Sequence, residues 1–246
     1  IHLACQLAIK VEDWDFSGLS IWQANLNTCR LPYINFAGCH FSNSNFLEKF
    51  DAILTAAVSQ DGELMAAGGA NGNVHIWRVQ TQDLLSICPG NGRWVWSVTF
   101  SPKQQLVASG GSDTLVHVWE MMPIDSETAI KSVNMHHFAL AGHTDTVFGL
   151  AFRPDGQWLV SASADHTVRL WNIAQRAIVR VLTGHTATVY AVAFHPNGEF
   201  FASGSRDCTV RLWEAATGRC LQVIEAHQAV VCALAFSRDG QRLVTA

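Results

Sequence analysis

The sequence predicts an all-β chain of repeated four-stranded antiparallel sheets, preceded by a short coiled β-segment. Three observations predict it. Trp77, Trp119, Trp171 and Trp213 close the near-identical stretches GNVHIW, TLVHVW, HTVRLW and CTVRLW, at intervals of 42, 52 and 42 residues. A period near 40 residues marks a chain assembled from copies of one small unit. Within a copy, short runs of alternating apolar residues are separated by turn signals, which is the pattern of half-buried strands. Ahead of the copies runs a second period, of five residues.

The third copy, residues 142–171, shows the unit most clearly. Its alternation predicts strands near 146–152, 157–162 and 167–172, with a fourth at 177–182. Between the first two lies the turn RPDG at 153–156, where Pro presets φ and Gly accepts a positive φ. The turn recurs as SQDG at 59–62, HPNG at 195–198 and SRDG at 237–240, and decays to SPKQ at 101–104. Four short strands per unit point to sheets set radially about an axis, the propeller arrangement that leaves only short edges.

In the front segment Phe16, Ile21, Leu26, Leu31, Phe36, Phe41 and Phe46 stand five apart, each preceded two residues earlier by Trp14, Leu19, Ala24, Cys29, Ile34, Cys39 or Ser44. Residues 1–13 read as an N-terminal cap or the end of a preceding domain.

Composition narrows the function. Of 246 residues, 49% are hydrophobic and 15% charged, the balance of a chain with a buried core. The net charge is −4 and the 16 basic residues are scattered, so no basic face offers itself to nucleic acid. No apolar run approaches the roughly 20 residues that span a bilayer, so a membrane is not an expected partner. Seven Cys without paired spacing suggest reduced thiols and a cytoplasmic setting. Neither a CxxC nor an HExxH spacing occurs, so no metal and no cofactor are expected. The first residue is Ile, which suggests a piece of something longer.

Gly142-His143 and Gly184-His185 each precede a closing Trp by the same 28-residue His-to-Trp distance. With the turns and the Trp period, these copies resemble the WD-repeat family across about 48–246. The dipeptide that names the family is degenerate here: Trp77-Arg78, Trp119-Glu120, Trp171-Asn172 and Trp213-Glu214. The resemblance implies a β-propeller of four full blades plus a partial fifth, an incomplete ring, with further blades expected after Ala246. The 14–47 segment resembles the pentapeptide-repeat family, a right-handed four-sided β-helix in which four pentapeptides make one coil.

His143, Ser161, Asp165 and Trp171 recur at identical offsets as His185, Ser203, Asp207 and Trp213. The second copy offers Ser109, Asp113 and Trp119, with Asn91 where His stands elsewhere; the first has Ala67 and Asn71 at the Ser and Asp positions and is expected to be the least stable. A Ser/His/Asp set invites a hydrolase reading. Against it, a catalytic centre is built once, this set is copied, and no G-x-S-x-G elbow exists. In the WD-repeat family such residues resemble a buried hydrogen-bond chain, so no catalytic residue is assigned.

Function then falls to positions that differ between copies. The resemblance places the start of each innermost strand at the rim of the channel, the face most family members use for partners. There the chain carries Trp94 and Trp96, Thr146 and Phe148, Thr188 and Tyr190, and Arg206 beside them. The corresponding positions elsewhere are Ala52 and Leu54, Val230 and Cys232, Ser112 and Ala164. Trp, Tyr and Arg dominate interface hot spots, so a protein or peptide partner on this rim is expected. The insertion at 121–140, with His136 and His137, reads as a solvated loop. Finally, DFSGLSIWQANL leading into VSQDGELMAAGGANGNVHIW resembles the junction in large bacterial signalling ATPases with an NB-ARC or NACHT module upstream. No G-x-x-x-x-G-K-[ST] occurs in this chain, so such a module would precede it.

Overall fold

A computed structural model describes residues 20–22, 40–42, 52–90, 92–103, 105–121, 136–225 and 227–246. The chain divides into two units, 1–50 and 51–246. In the first, β1 (Ser20–Trp22) and β2 (His40–Ser42) pair in parallel, Ser20 opposite His40 and Trp22 opposite Ser42. That offset is 20 residues, four times the five-residue sequence period. The cap expected at 1–13 and the rest of the coil expected over 14–47 lie outside the described residues.

Among its described residues the second unit holds four sheets of four strands and one of two. They are β3 (Ile53–Val58), β4 (Leu64–Gly69), β5 (Asn73–Arg78) and β6 (Leu84–Pro89); then β7 (Val95–Phe100), β8 (Leu106–Gly111), β9 (Val116–Glu120) and β10 (His136–Leu140). The third is β11 (Val147–Phe152), β12 (Trp158–Ser163), β13 (Val168–Asn172) and β14 (Ala177–Leu182). The fourth is β15 (Val189–Phe194), β16 (Phe200–Ser205), β17 (Val210–Glu214) and β18 (Cys220–Ile224), and β19 (Leu234–Phe236) pairs with β20 (Leu243–Thr245). Every pairing in this unit is antiparallel between strands consecutive in sequence. The predicted turns close the first two strands of a sheet, as where the Gly156 amide donates to the Arg153 carbonyl at 2.8 Å.

Each sheet packs on the next through its first and second strands. Val95, Val147 and Val189 open the innermost strands, Val231 precedes β19, and all four are fully buried. They press on small residues of the preceding sheet's second strand. A Cβ on Gly110 would lie 2.5 Å from Val147 Cγ1, and one on Gly68 2.5 Å from Val95 Cγ1. Glycine there lets neighbouring sheets approach closely. Apolar clusters run between the sheets: Leu106, Val118, Leu140, Phe152 and Leu159 join the second to the third. Ile53, at the equivalent position on β3, is 59% exposed.

Candidate functional site

The innermost strands are where sequence and backbone conspire. In the four full sheets, register with the second strand slips once, skipping Leu54, Trp96, Phe148 and Tyr190. A β-bulge leaves one residue unpaired and re-aims its side chain. Three of these residues are aromatic, and they meet. The Trp94 and Trp96 rings lie 5.8 Å apart edge-on, Trp96 and Phe148 5.4 Å apart, and Phe148 and Tyr190 5.0 Å apart. A continuous aromatic ladder thus crosses three sheets. Trp94 is 51% exposed, whereas Trp96, Phe148 and Tyr190 are half-buried, because each ring covers its neighbour. Part of their area is therefore spent on packing.

The residue before the turn Asp or Asn is tied to the same rim. Amides of Ala70, Ser112, Ala164 and Arg206 donate to the carbonyls of Ala52, Trp94, Thr146 and Thr188 at 2.9, 3.2, 2.9 and 2.8 Å. Arg206 is exposed beside the Tyr190 strand, while Thr146 and Thr188 are half-buried. Ahead of the last, two-stranded sheet Cys232 is exposed and Val230 half-buried. The opposite ends of the inner strands line a separate open cleft of about 520 Å³, walled by residues such as Thr99, Phe100, Ala151, Phe152, Ala193 and Pro196. Among the described residues no titratable side chain lines it.

In the third and fourth sheets the recurrent polar sets form closed chains. His143 Nδ1 lies 2.8 Å from Asp165 Oδ2, and its Nε2 2.7 Å from Ser161 Oγ; Trp171 Nε1 donates to that Oγ at 2.8 Å. His185, Asp207, Ser203 and Trp213 repeat this at 2.8, 2.7 and 2.7 Å. A carboxylate only accepts, so His Nδ1 carries the proton, Nε2 accepts the Ser hydroxyl, and the Ser lone pair takes the indole N–H. These are the contacts of a nucleophilic triad. What differs is access: Ser161 and Ser203 are fully buried. Burial lowers the His143 and His185 pKa values, outweighing the raising effect of the Asp partners. Burial would raise Asp165 and Asp207, but hydrogen bonds from His143 and Thr167, and from Thr209 and His185, hold both far below the usual range.

The second sheet is wired differently. Asp113 Oδ2 pairs with His117 Nε2 at 2.7 Å, and His117 Nδ1 with His137 Nε2 at 2.8 Å. Ser109 and Trp119 are buried alongside, Trp119 stacked between 5.3 and 5.6 Å from both imidazoles. Asn91 lies outside the described residues. The expectation of a solvated loop at His136 and His137 is corrected: they open β10, the outermost strand. The signal was present in the sequence: GNVHIW and TLVHVW carry His two residues before Trp, where the other copies carry Arg169 and Arg211. In the first sheet His75 likewise stacks on Trp77 at 5.6 Å, and Asn71 Oδ1 accepts from the Asn73 amide. In the partial sheet His227 Nε2 lies 2.6 Å from Thr245 Oγ1, at the Ser position. Among the described residues no group of three or more His, Cys, Asp or Glu could hold a metal ion.

Repeated four-stranded sheets braced by this polar set define a WD-repeat protein. The family model described as WD domain, G-beta repeat matches residues 44–78, 82–120, 134–172, 176–214 and 218–246, and the chain belongs to that family. Each matched repeat from the second onward takes its first strand from the preceding sheet, so the sequence repeat stitches neighbouring blades together. An uncharacterized WD repeat-containing protein of Nostoc is 38% identical over 95 residues, 39% of this chain and 8% of that protein. One from Synechocystis is 48% identical over 44 residues, 18% of this chain and 13% of that protein. Human Striatin-4 is 30% identical over 120 residues, 49% of this chain and 10% of that protein. The chain thus matches about a tenth of the length of these relatives.

Proposed function

We propose that the chain is a non-catalytic docking module that holds a protein or peptide partner on the rim of its propeller. The aromatic ladder from Trp94 to Tyr190, flanked by exposed Arg206, carries the proposal. Its rungs are the residues that vary between copies, and their types are those that anchor interfaces. Thr146 and Thr188 complete the surface. The rim amides of Ser112, Ala164 and Arg206 are already bonded within the chain, so side chains must do the recognising. The Ser-His-Asp-Trp sets brace the sheets and take no part in chemistry.

The test starts from a displayed library of random peptides, selected on the purified chain. The recovered peptide is titrated against wild type and against Trp96→Ala/Tyr190→Ala. The double variant loses at least ~2 kcal/mol of binding, about thirtyfold, if these rings are anchors. Equal affinity in a variant with unchanged β-structure rejects the site. A second reading rests on the five-residue period ahead of the repeats: the module regulates a cytoplasmic signalling ATPase whose nucleotide-binding module lies upstream in the parent chain. A parent gene without a P-loop would exclude that reading and leave the docking proposal standing.

A further inference from the structure

Among the described residues the Asp113–His117–His137 chain belongs to the second sheet alone. Opposite the closing Trp, the outermost strand presents Leu84, His137, Ile178 and Cys220 in the four full sheets. Only β10 thus places an imidazole there, and only β5 and β9 carry His at the His117 position. The β9–β10 register is also continuous, whereas the other three outer pairings slip beside their Trp. The two rings are nearly parallel, 13° apart with centroids at 5.0 Å. His117 is buried.

Proton counting at the 2.8 Å gap has a definite outcome. The Asp113 carboxylate accepts, so His117 Nε2 bears hydrogen. When both rings are neutral, His137 Nε2–H donates to bare His117 Nδ1. With one added proton, a single hydrogen still bridges the two nitrogens, donated from either side. A second added proton puts N–H on both and two positive charges face to face, and the pair must part. Among the described residues the charged group bonded to it is Asp113 on the β8–β9 turn; Glu120 and His136 pair one residue further along, on the opposite face of the same two strands. Gly90, from the loop after β6, packs its backbone against the His117 ring. Of these, only Asp113 is bonded to the pair, and it can balance one charge.

We propose that His117 and His137 form a proton-operated latch that holds β10 on the second blade and releases it when both imidazoles are charged. Burial first, and the neighbouring His117 second, lower the His137 pKa, so release falls on the acid side of ordinary histidine titration. β14 and β18 have no His in their strands, so under the same conditions they lose only what the acid response of the His143 and His185 braces removes, and β10 loses more.

Amide hydrogen exchange on the full chain tests this, read as protection factors for 136–140, 177–182 and 220–224 between pH 7.5 and 5. Acid should lower protection of β10 at least tenfold more than that of β14 and β18. His137→Gln keeps a donor toward His117 Nδ1 and cannot titrate, so its β10 protection should no longer depend on pH beyond the change shared by all blades. His137→Phe keeps the ring and loses the bond, so β10 should be weakly protected at every pH. Equal loss in all three strands, or an undiminished β10 response in His137→Gln with β14 protected as in wild type, overturns the latch.

Discussion

Ser161→Ala isolates the bracing chain from every other contribution. The side chain has 0% exposure, and the substitution removes one oxygen while keeping the Cβ, so little packing is lost. Two bonds go together: the one to His143 Nε2 at 2.7 Å and the one from Trp171 Nε1 at 2.8 Å. Trp171 is 1% and His143 5% exposed, so water does not readily replace the hydroxyl. Each buried group left unpaired costs about 1–3 kcal/mol, which puts the loss at about 2–6 kcal/mol. Trp171→Phe in the Ser161→Ala background removes one of the orphans. The pair should therefore be less harmful than the sum of the singles by about 1–2 kcal/mol. Urea denaturation gives the global figure. Exchange protection of 147–163 gives the local one, since a repeat array need not unfold as one unit. A loss below ~0.5 kcal/mol, or strict additivity, would refute the view that these hydroxyls join a closed chain.

Two further outcomes follow from the same geometry. His143, His185 and His137 have folded pKa values below 6.5, so the unfolded chain binds more protons on acidification; their contribution is complete above about pH 6.5 and declines as pH falls below it. Asp165 and Asp207, depressed from 3.8, keep theirs down to that value and lose it at lower pH, so a two-stage acid profile is expected in denaturation midpoints; a flat profile from pH 7.5 to 5 contradicts the first stage. Thr114 sits at φ 70°, where a β-branched side chain is strained, and the first sheet has Gly72 there at φ 85°; Thr114→Gly should stabilise by about 0.5–1 kcal/mol, read as a raised thermal midpoint, and a lowered one would show that the threonine is not strained.

The period of the Trp residues, the alternation of apolar positions and the turn tetrapeptides were enough to place strands within a residue or two, as at 146–152 against Val147–Phe152. Local rules govern such features: pleat, turn geometry and the need to bury one face. The equal spacing of His143, Ser161, Asp165 and Trp171 with His185, Ser203, Asp207 and Trp213 was legible for the same reason, because copied spacing implies copied geometry. Spacing alone did not reveal the Asp113–His117–His137 chain. His117 and His137 stand 20 residues apart across an insertion of irregular length, and only the β9–β10 register brings their nitrogens to 2.8 Å.

The rim divides along the same line. The chain itself determined which positions vary and that Trp94, Trp96, Phe148, Tyr190 and Arg206 are the variants. Tertiary structure alone decided that the rings touch in sequence from blade to blade. Contact depends on one unpaired residue in each inner strand and on how closely glycines such as Gly110 let one sheet approach the next. Both are distances between elements far apart in the chain, which local pattern does not encode.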